Sequence, residues 1–170
     1  SPEDTLTVYF NTLKKMNLEE MSSYLGVVDI MNTSDSVKNS IAEALVEQVH
    51  KNFNFKIKTS SVNGYNATVT TEITTFDSNA ILSDYQHSLD DYLASPDSVI
   101  DGSQKRYDKS LDLLLKSIES NTASATSDVD FVLINDGTSW KLQDEGRTLG
   151  DAIFGTLTTS PLDDSSDSES

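Results

Sequence analysis

Apolar positions along the chain recur first at helical spacing, then at alternate residues, and then run through that order again. In SPEDTLTVYFNTLKKM, Leu6, Phe10 and Leu13 lie four and three residues apart, on one face of a helix. Ser1 is the expected N-cap, Pro2 the first helical residue and Asp4 the acid that answers the cap. Asn17, with Glu20 three residues on, reads as a second start. The helix is therefore expected to break near Asn17. A short second helix should carry Leu18, Met21 and Leu25 inward and close at Gly26. Residues 34–52 repeat the period through Val37, Ile41, Leu45 and Val49, with Ala44 beside them and Thr33 or Ser34 as cap.

The period then drops to two. Phe53, Phe55 and Ile57 alternate with Asn54, Lys56 and Lys58; beyond Asn63-Gly64, Tyr65, Ala67, Val69, Thr71 and Ile73 alternate with polar residues. This pattern predicts a β-hairpin. A two-residue Asn63-Gly64 loop would set Phe55 against Glu72 and put the two apolar sets on opposite faces. A three-residue loop, Val62 to Gly64, pairs Ile57 with Val69 and Phe53 with Ile73. The expectation is therefore that longer loop, with Gly64 at positive φ and a bulge.

Helical spacing returns over residues 78–120. Leu82, Tyr85, Leu89 and Tyr92 or Leu93 form one stripe; Tyr107, Leu111, Leu114 or Leu115, and Ile118 form another. A loop is expected at about 95–103. A second hairpin follows, with Val129, Phe131 and Leu133 on one face. With a loop from Asn135 to Thr138, Leu133 faces Trp140 and Phe131 faces Leu142. Val132 and Ile134 are apolar too, which leaves the end of this strand open to cover on both faces. RTLGDAIFG reads as a closing helix with Ile153 and Phe154 inward, and residues 158–170 as an acidic, serine-rich tail or linker. Residues 1–157 form one domain. Helices and hairpins without strand–helix–strand alternation indicate an α+β fold: N-terminal helices on a four-stranded antiparallel sheet made of two hairpins with a helical pair between them.

Composition narrows the function. The 170 residues carry 28 acidic and 12 basic side chains, a net charge of −16. Such a surface repels phosphate backbones, which excludes nucleic-acid binding through a basic patch. With no cysteine there is no thiolate metal site and no cysteine nucleophile. No apolar run approaches the ~20 residues that span a bilayer. The first residue is Ser1 and not Met, which reads as a processed product.

Candidate chemistry is sparse. His50 and His87 have no second ligand at metal spacing and read as surface or helix-end imidazoles, His50 being suited to a helix C-terminus. Asp128 and Asp130 share a strand face, a spacing that suits a cation or a paired acid but suits an exposed polar face far better. The stretch DSVIDGSQKRYD lacks the EF-hand pattern, and nucleophile-elbow, phosphate-loop and dinucleotide motifs do not occur. No catalytic residue, metal or cofactor is assigned. The aromatics read first as core. Where they bind, they do so as a cavity wall, and Tyr9, Phe10, Leu13, Phe55, Tyr85, Phe131 and Trp140 are the candidate ligand-binding set.

Three local words occur in a telling order. The opening helix of residues 1–25 has a P-E-x-x-hydrophobic start, with a polar step at Asn17-Leu18-Glu19-Glu20. Gly137 to Leu142 matches a G-x-W-K-hydrophobic word with one extra residue before the Trp. LGDAIFGTL closes the chain at 149–157. Together they resemble secreted Gram-positive lipoproteins of unknown function with a nuclear-transport-factor-like, or cystatin-like, fold. The resemblance implies a curved antiparallel sheet wrapped over the first helix, with a conical cavity between them. It also implies export and lipid anchoring through a cysteine upstream of Ser1, so that membrane contact comes only through the anchor. Enzymes of this fold hold an acid or His in the cavity; no residue here matches those positions. The expected role is an extracytoplasmic, cell-surface, non-catalytic domain that binds a small ligand or a surface protein. The alternatives are a cavity-based isomerase or hydratase and a structural module of a larger surface protein.

Overall fold

The computed structural model describes residues 1–25 and 36–158. Among them are seven α-helices, a closing 3-10 turn (Gly155–Thr158) and one open four-stranded antiparallel sheet. Helices α1 (Pro2–Leu13), α2 (Leu18–Leu25) and α3 (Ser36–Asn52) precede strands β1 (Asn54–Asn63) and β2 (Asn66–Phe76). Helices α4 (Ser78–Leu93), α5 (Pro96–Ile100) and α6 (Ser103–Glu119) lead to β3 (Ser124–Asn135) and β4 (Trp140–Leu142), and α7 (Arg147–Phe154) follows. The sheet order is β1-β2-β3-β4. No helix among the described residues is long and apolar enough to cross a membrane.

The first helix forms as its ends direct. Ser1 Oγ accepts the Asp4 N–H at 3.2 Å, and Pro2 opens the helix. Pro2, Leu6, Phe10 and Leu13 are buried. Asn17 and Glu20 then cap reciprocally: Asn17 Oδ1 accepts the Glu20 N–H at 2.9 Å, and Glu20 Oε1 accepts the Asn17 N–H at 3.3 Å. Two otherwise orphaned donors are thus satisfied, and the chain breaks where the pattern placed the break. Gly26, Thr33, Ser34, the side chain of Leu25 and the tail from residue 159 lie outside the described residues.

Helix α3 is buried on a broad face: Ile41, Ala42, Leu45, Val46, Gln48 and Val49. It lies between the sheet, at β2, and α6, so it needs more than one stripe. Gln48, buried at its centre, donates to the carbonyls of Ile118 and Asn121 at 3.0 and 3.3 Å and accepts from Asn121 at 2.9 Å. Helix α4 packs on α6 at the outside of this stack. That placement corrects the expected α4 stripe. Ile81 is its one buried residue; Leu82, Tyr85, Leu89 and Tyr92 are half-buried, and Leu93 is exposed. On α6, Leu111, Leu114 and Ile118 are buried as expected, while Tyr107 is exposed.

The first hairpin solves its register differently from the sequence expectation. Its turn is two residues, Gly64-Tyr65, closed by the Asn63–Asn66 pair. Gly64 has φ +63°, as expected, and Tyr65 is not at positive φ, the pattern of a type II′ turn. Such a turn pairs odd with even positions, which would face Phe55 and Ile57 away from Val69 and Ile73. The bulge is present, but at Lys58, where the register shifts between Ile57 and Thr59. Beyond it Ile57 pairs with Thr71 and Phe55 with Ile73, so one apolar face results. The second hairpin is shifted by two residues. Its loop is Asp136 to Ser139; Leu133 pairs with Leu142, and Trp140 with Asn135. A slip of two keeps every side chain on its face, so Trp140 still points with Leu133 towards the helices. Val132 and Ile134 stand on the outer face, each 37% exposed, and are not covered.

Candidate functional site

Helix α1 packs over β1, β2 and β4, and aromatic rings fill the space between. Phe10 is fully buried at the centre. Its ring lies 4.7 Å from that of Phe55, 5.4 Å from Phe131 and 6.0 Å from Phe53, with tilted or edge-on planes. Such contacts are worth ~0.5–1.5 kcal/mol each beyond area burial. Leu13 is buried beside them; Tyr9, Phe55 and Trp140 are half-buried at the margin. Lys14 Nζ closes one side, 5.2 Å above the Phe55 ring and 3.3 Å from Asn54 Oδ1. Six of the seven candidate residues therefore belong to the α1–sheet contact. Tyr85 stands in the α4–α6 layer, where burial raises its pKa against a hydrogen bond with Ser110 that lowers it.

The carboxylates are held locally. Asp128 accepts from Lys58 Nζ at 2.8 Å, and Asp130 from the Thr70 hydroxyl at 2.6 Å. With the Thr74–Thr126 pair at 2.8 Å, these bonds form a polar ladder on the outer sheet face. The Asp128 contact raises the Lys58 pKa. Asp136 folds the β3–β4 loop around itself: it accepts the N–H groups of Thr138 and Ser139 at 2.9 Å each and pairs with Lys141 at 3.0 Å. These bonds hold its carboxyl well below the ordinary range. Burial pushes Asp144 up, but bonds from Thr148 and from the Gly146 N–H outweigh it and lower the pKa. That carboxylate caps the start of α7, with the Thr148 N–H at 2.7 Å. His50 Nε2 lies 2.7 Å from the Met16 carbonyl, and His87 is exposed.

Among the grooves on the described surface, three stand beside this arrangement. One of ≈ 470 Å³ lies between α3 and the end of α6, with Glu43, Glu47, Glu119 and Lys51 at its walls. A second, of ≈ 350 Å³, runs between α1 and α2 past Val8, Lys15 and Met16. A third, of ≈ 450 Å³, separates α4 from α6. None of the three is lined by the seven aromatic and aliphatic candidates. Two further features stand out. Thr71 is buried on the inner sheet face, and among the described residues its hydroxyl is unpartnered. Val99 and Ile100 stand fully displayed at the α4–α6 tip. The alternation put Thr71 on the inner face but does not say whether its hydroxyl finds a partner, and Val99 and Ile100 fall in the stretch expected as a loop, which carries no periodic signal.

No protein-family model matches the chain, and no curated protein matches it in sequence. Among solved structures, the fold is similar to one from Bacillus subtilis described as that of "a putative lipoprotein (ycdA)", with a TM-score of 0.53 and 17% identity. The match covers 80% of this chain and 43% of the YcdA chain, so the likeness spans less than half of that protein's length and is one of fold.

Proposed function

We propose that this chain is the extracytoplasmic domain of a lipid-anchored surface protein, that its fold is nuclear-transport-factor-like, and that it binds a partner without catalysis. The observation that supports binding over chemistry is where its ionisable groups sit. The buried polar residues among those described are Gln48, Thr71, Thr75, Ser98 and Ser117; every described Asp, Glu, His, Lys and Arg reaches solvent. General acid–base chemistry draws on groups tuned by burial against apolar walls. Here the α1–sheet contact brings together Phe10, Leu13, Phe53 and Phe131 instead. The likeness to YcdA supports the anchored setting.

The test is metabolic labelling in the native host with an alkyne-bearing fatty acid, applied to the full gene product. Label on the protein, membrane fractionation, and protease accessibility in intact cells are expected. An unlabelled protein protected inside the cell would overturn the reading. Turnover of a small carbonyl substrate that is lost on changing one carboxylate would overturn the non-catalytic part.

A further inference from the structure

The α4–α6 helical pair ends in a tip built to a degree that joining two helices does not require. Ser98 is buried, and its hydroxyl donates to the carbonyls of Leu93 and Ser95 at 2.9 and 3.0 Å. Arg106, from the first turn of α6, reaches back to the carbonyls of Ser98 and Asp101 at 2.8 and 2.5 Å. Tyr92, from the last turn of α4, donates its hydroxyl to Asp101 at 2.5 Å. The bond ties the C-terminal end of α5 back to α4, and it raises the phenol's pKa to about 12. The side chains of Tyr92, Ser98, Asp101 and Arg106 are thus satisfied within the tip. What faces outward is aliphatic: Val99 is 82% exposed and Ile100 80%, with Leu93, 50% exposed, on the adjoining end of α4.

Single exposed aliphatics are ordinary on any surface. Two adjacent ones, held out on a turn fixed from both flanking helices, form a pre-ordered contact, because little side-chain or loop freedom remains to be lost on docking. The surrounding charge selects the occupant. Four acids, Asp90, Asp91, Asp97 and Asp101, lie on and beside α4 and α5, against Lys105 and Arg106 on the first turn of α6, and the Arg106 guanidinium is turned to the tip's own carbonyls. The chain as a whole carries −16. That field repels a second copy and anionic lipid headgroups alike.

We infer that the Val99–Ile100 tip docks into an apolar recess on another protein, rimmed by lysine or arginine side chains. The inference rests on the binding role proposed above and names its surface and the chemistry of its partner; it does not depend on the lipid anchor.

The experiment uses the full-length protein in its own host. A photo-crosslinking p-benzoylphenylalanine replaces Ile100 in one strain and Thr68, on the outer sheet face, in another. The crosslinked protein is identified, purified and titrated with wild type, the Val99→Ser/Ile100→Ser double variant and Asp97→Asn. A crosslink from position 100 is expected. The double variant should bind about tenfold weaker or worse, with an unchanged melting temperature. Affinity should fall as salt rises, and the fall should be shallower for Asp97→Asn. A captured protein whose affinity ignores the double variant overturns the proposal. A crosslink from position 68 alone overturns this surface and leaves the binding role standing; no crosslink from either overturns both. Self-association of wild type, lost in the double variant by sedimentation equilibrium, would make the occupant a second copy. Binding to phosphatidylglycerol vesicles that needs Val99 and Ile100 would make it a membrane. Either result overturns the proposal.

Discussion

Thr71 gives the sharpest test of how this core is held together. It is fully buried on the inner face of β2, between Val69 and Ile73, with Ile57 opposite on β1 and Val129 opposite on β3. Among the described residues its hydroxyl finds no hydrogen-bond partner. Folding therefore strips water from that group and returns nothing, at a cost of ~1–3 kcal/mol. Replacement by Val keeps the β-branched shape and the strand preference and exchanges the hydroxyl for a methyl. Thr71→Val should stabilise the domain by ~1–3 kcal/mol. At this chain length each kcal/mol raises Tm by roughly 2–4 °C. Urea unfolding followed by Trp140 fluorescence measures it, with an unchanged m-value showing that the same surface is exposed. Thr71→Ser is the control: it keeps the hydroxyl, loses a methyl and should lose about 1 kcal/mol. A loss of ~1 kcal/mol or more in the Val variant would refute the reasoning. The hydroxyl would then be holding an internal water or a ligand group, and the α1–sheet contact would contain a polar site.

Three further outcomes follow from the same structure. Trp140→Ala should cost ~2 kcal/mol, about half the loss for a fully buried Trp, because the ring is half-buried at the sheet margin; denaturant unfolding followed by circular dichroism reads it. Gly155 has φ +55° and ψ −132°, and a Cβ there would collide with Ser78 Oγ. Gly155→Ala should therefore cost roughly 1–3 kcal/mol in backbone strain, and Ser78→Ala should recover only the part due to the collision. Asp144 has its carboxyl pKa lowered in the folded state. Its contribution is accordingly present above the ordinary value of 3.8 and is lost as pH falls below it through the folded pKa. Asp144→Asn should lower Tm at neutral pH, and the gap to wild type should narrow towards pH 3.

How far the chain was legible depended on whether local or long-range chemistry decided each feature. The Ser1 cap, the Asn17–Glu20 box and the α3 face were legible because their partners lie within one turn or one helical period. The α+β class and the inward direction of Trp140 followed from periodicity alone. The first hairpin's register did not, because two faults compensate: a turn of the wrong parity and a bulge at Lys58. Gly64 marks a turn but fits loops of either parity, and the bulge has no mark at all, since Lys is ordinary in an exposed strand. The partial burial of Leu82, Tyr85, Leu89 and Tyr92 was hidden for another reason. A stripe shows that a helix has an inner face, not how many layers lie outside it. Of the candidate site, Phe10, Leu13, Phe55 and Phe131 do converge, because α1 and the sheet meet through them. Tyr85 does not join them, since nothing in its spacing told one layer from the other.

The bulge at Lys58 has a consequence beyond register. β1 is an edge strand of 10 residues, and a regular one of that length would offer a row of unpaired backbone groups as a template for another chain. The extra residue breaks that row in its middle, and its ammonium is drawn to Asp128 on the outer face. Pairing on either side of it is already complete, Ile57 with Thr71 and Thr59 with Thr70. A chain without Lys58 would thus fold on the same pairs, but with a straighter edge. What looks like a defect in the ladder interrupts the row of backbone groups that an added strand would need.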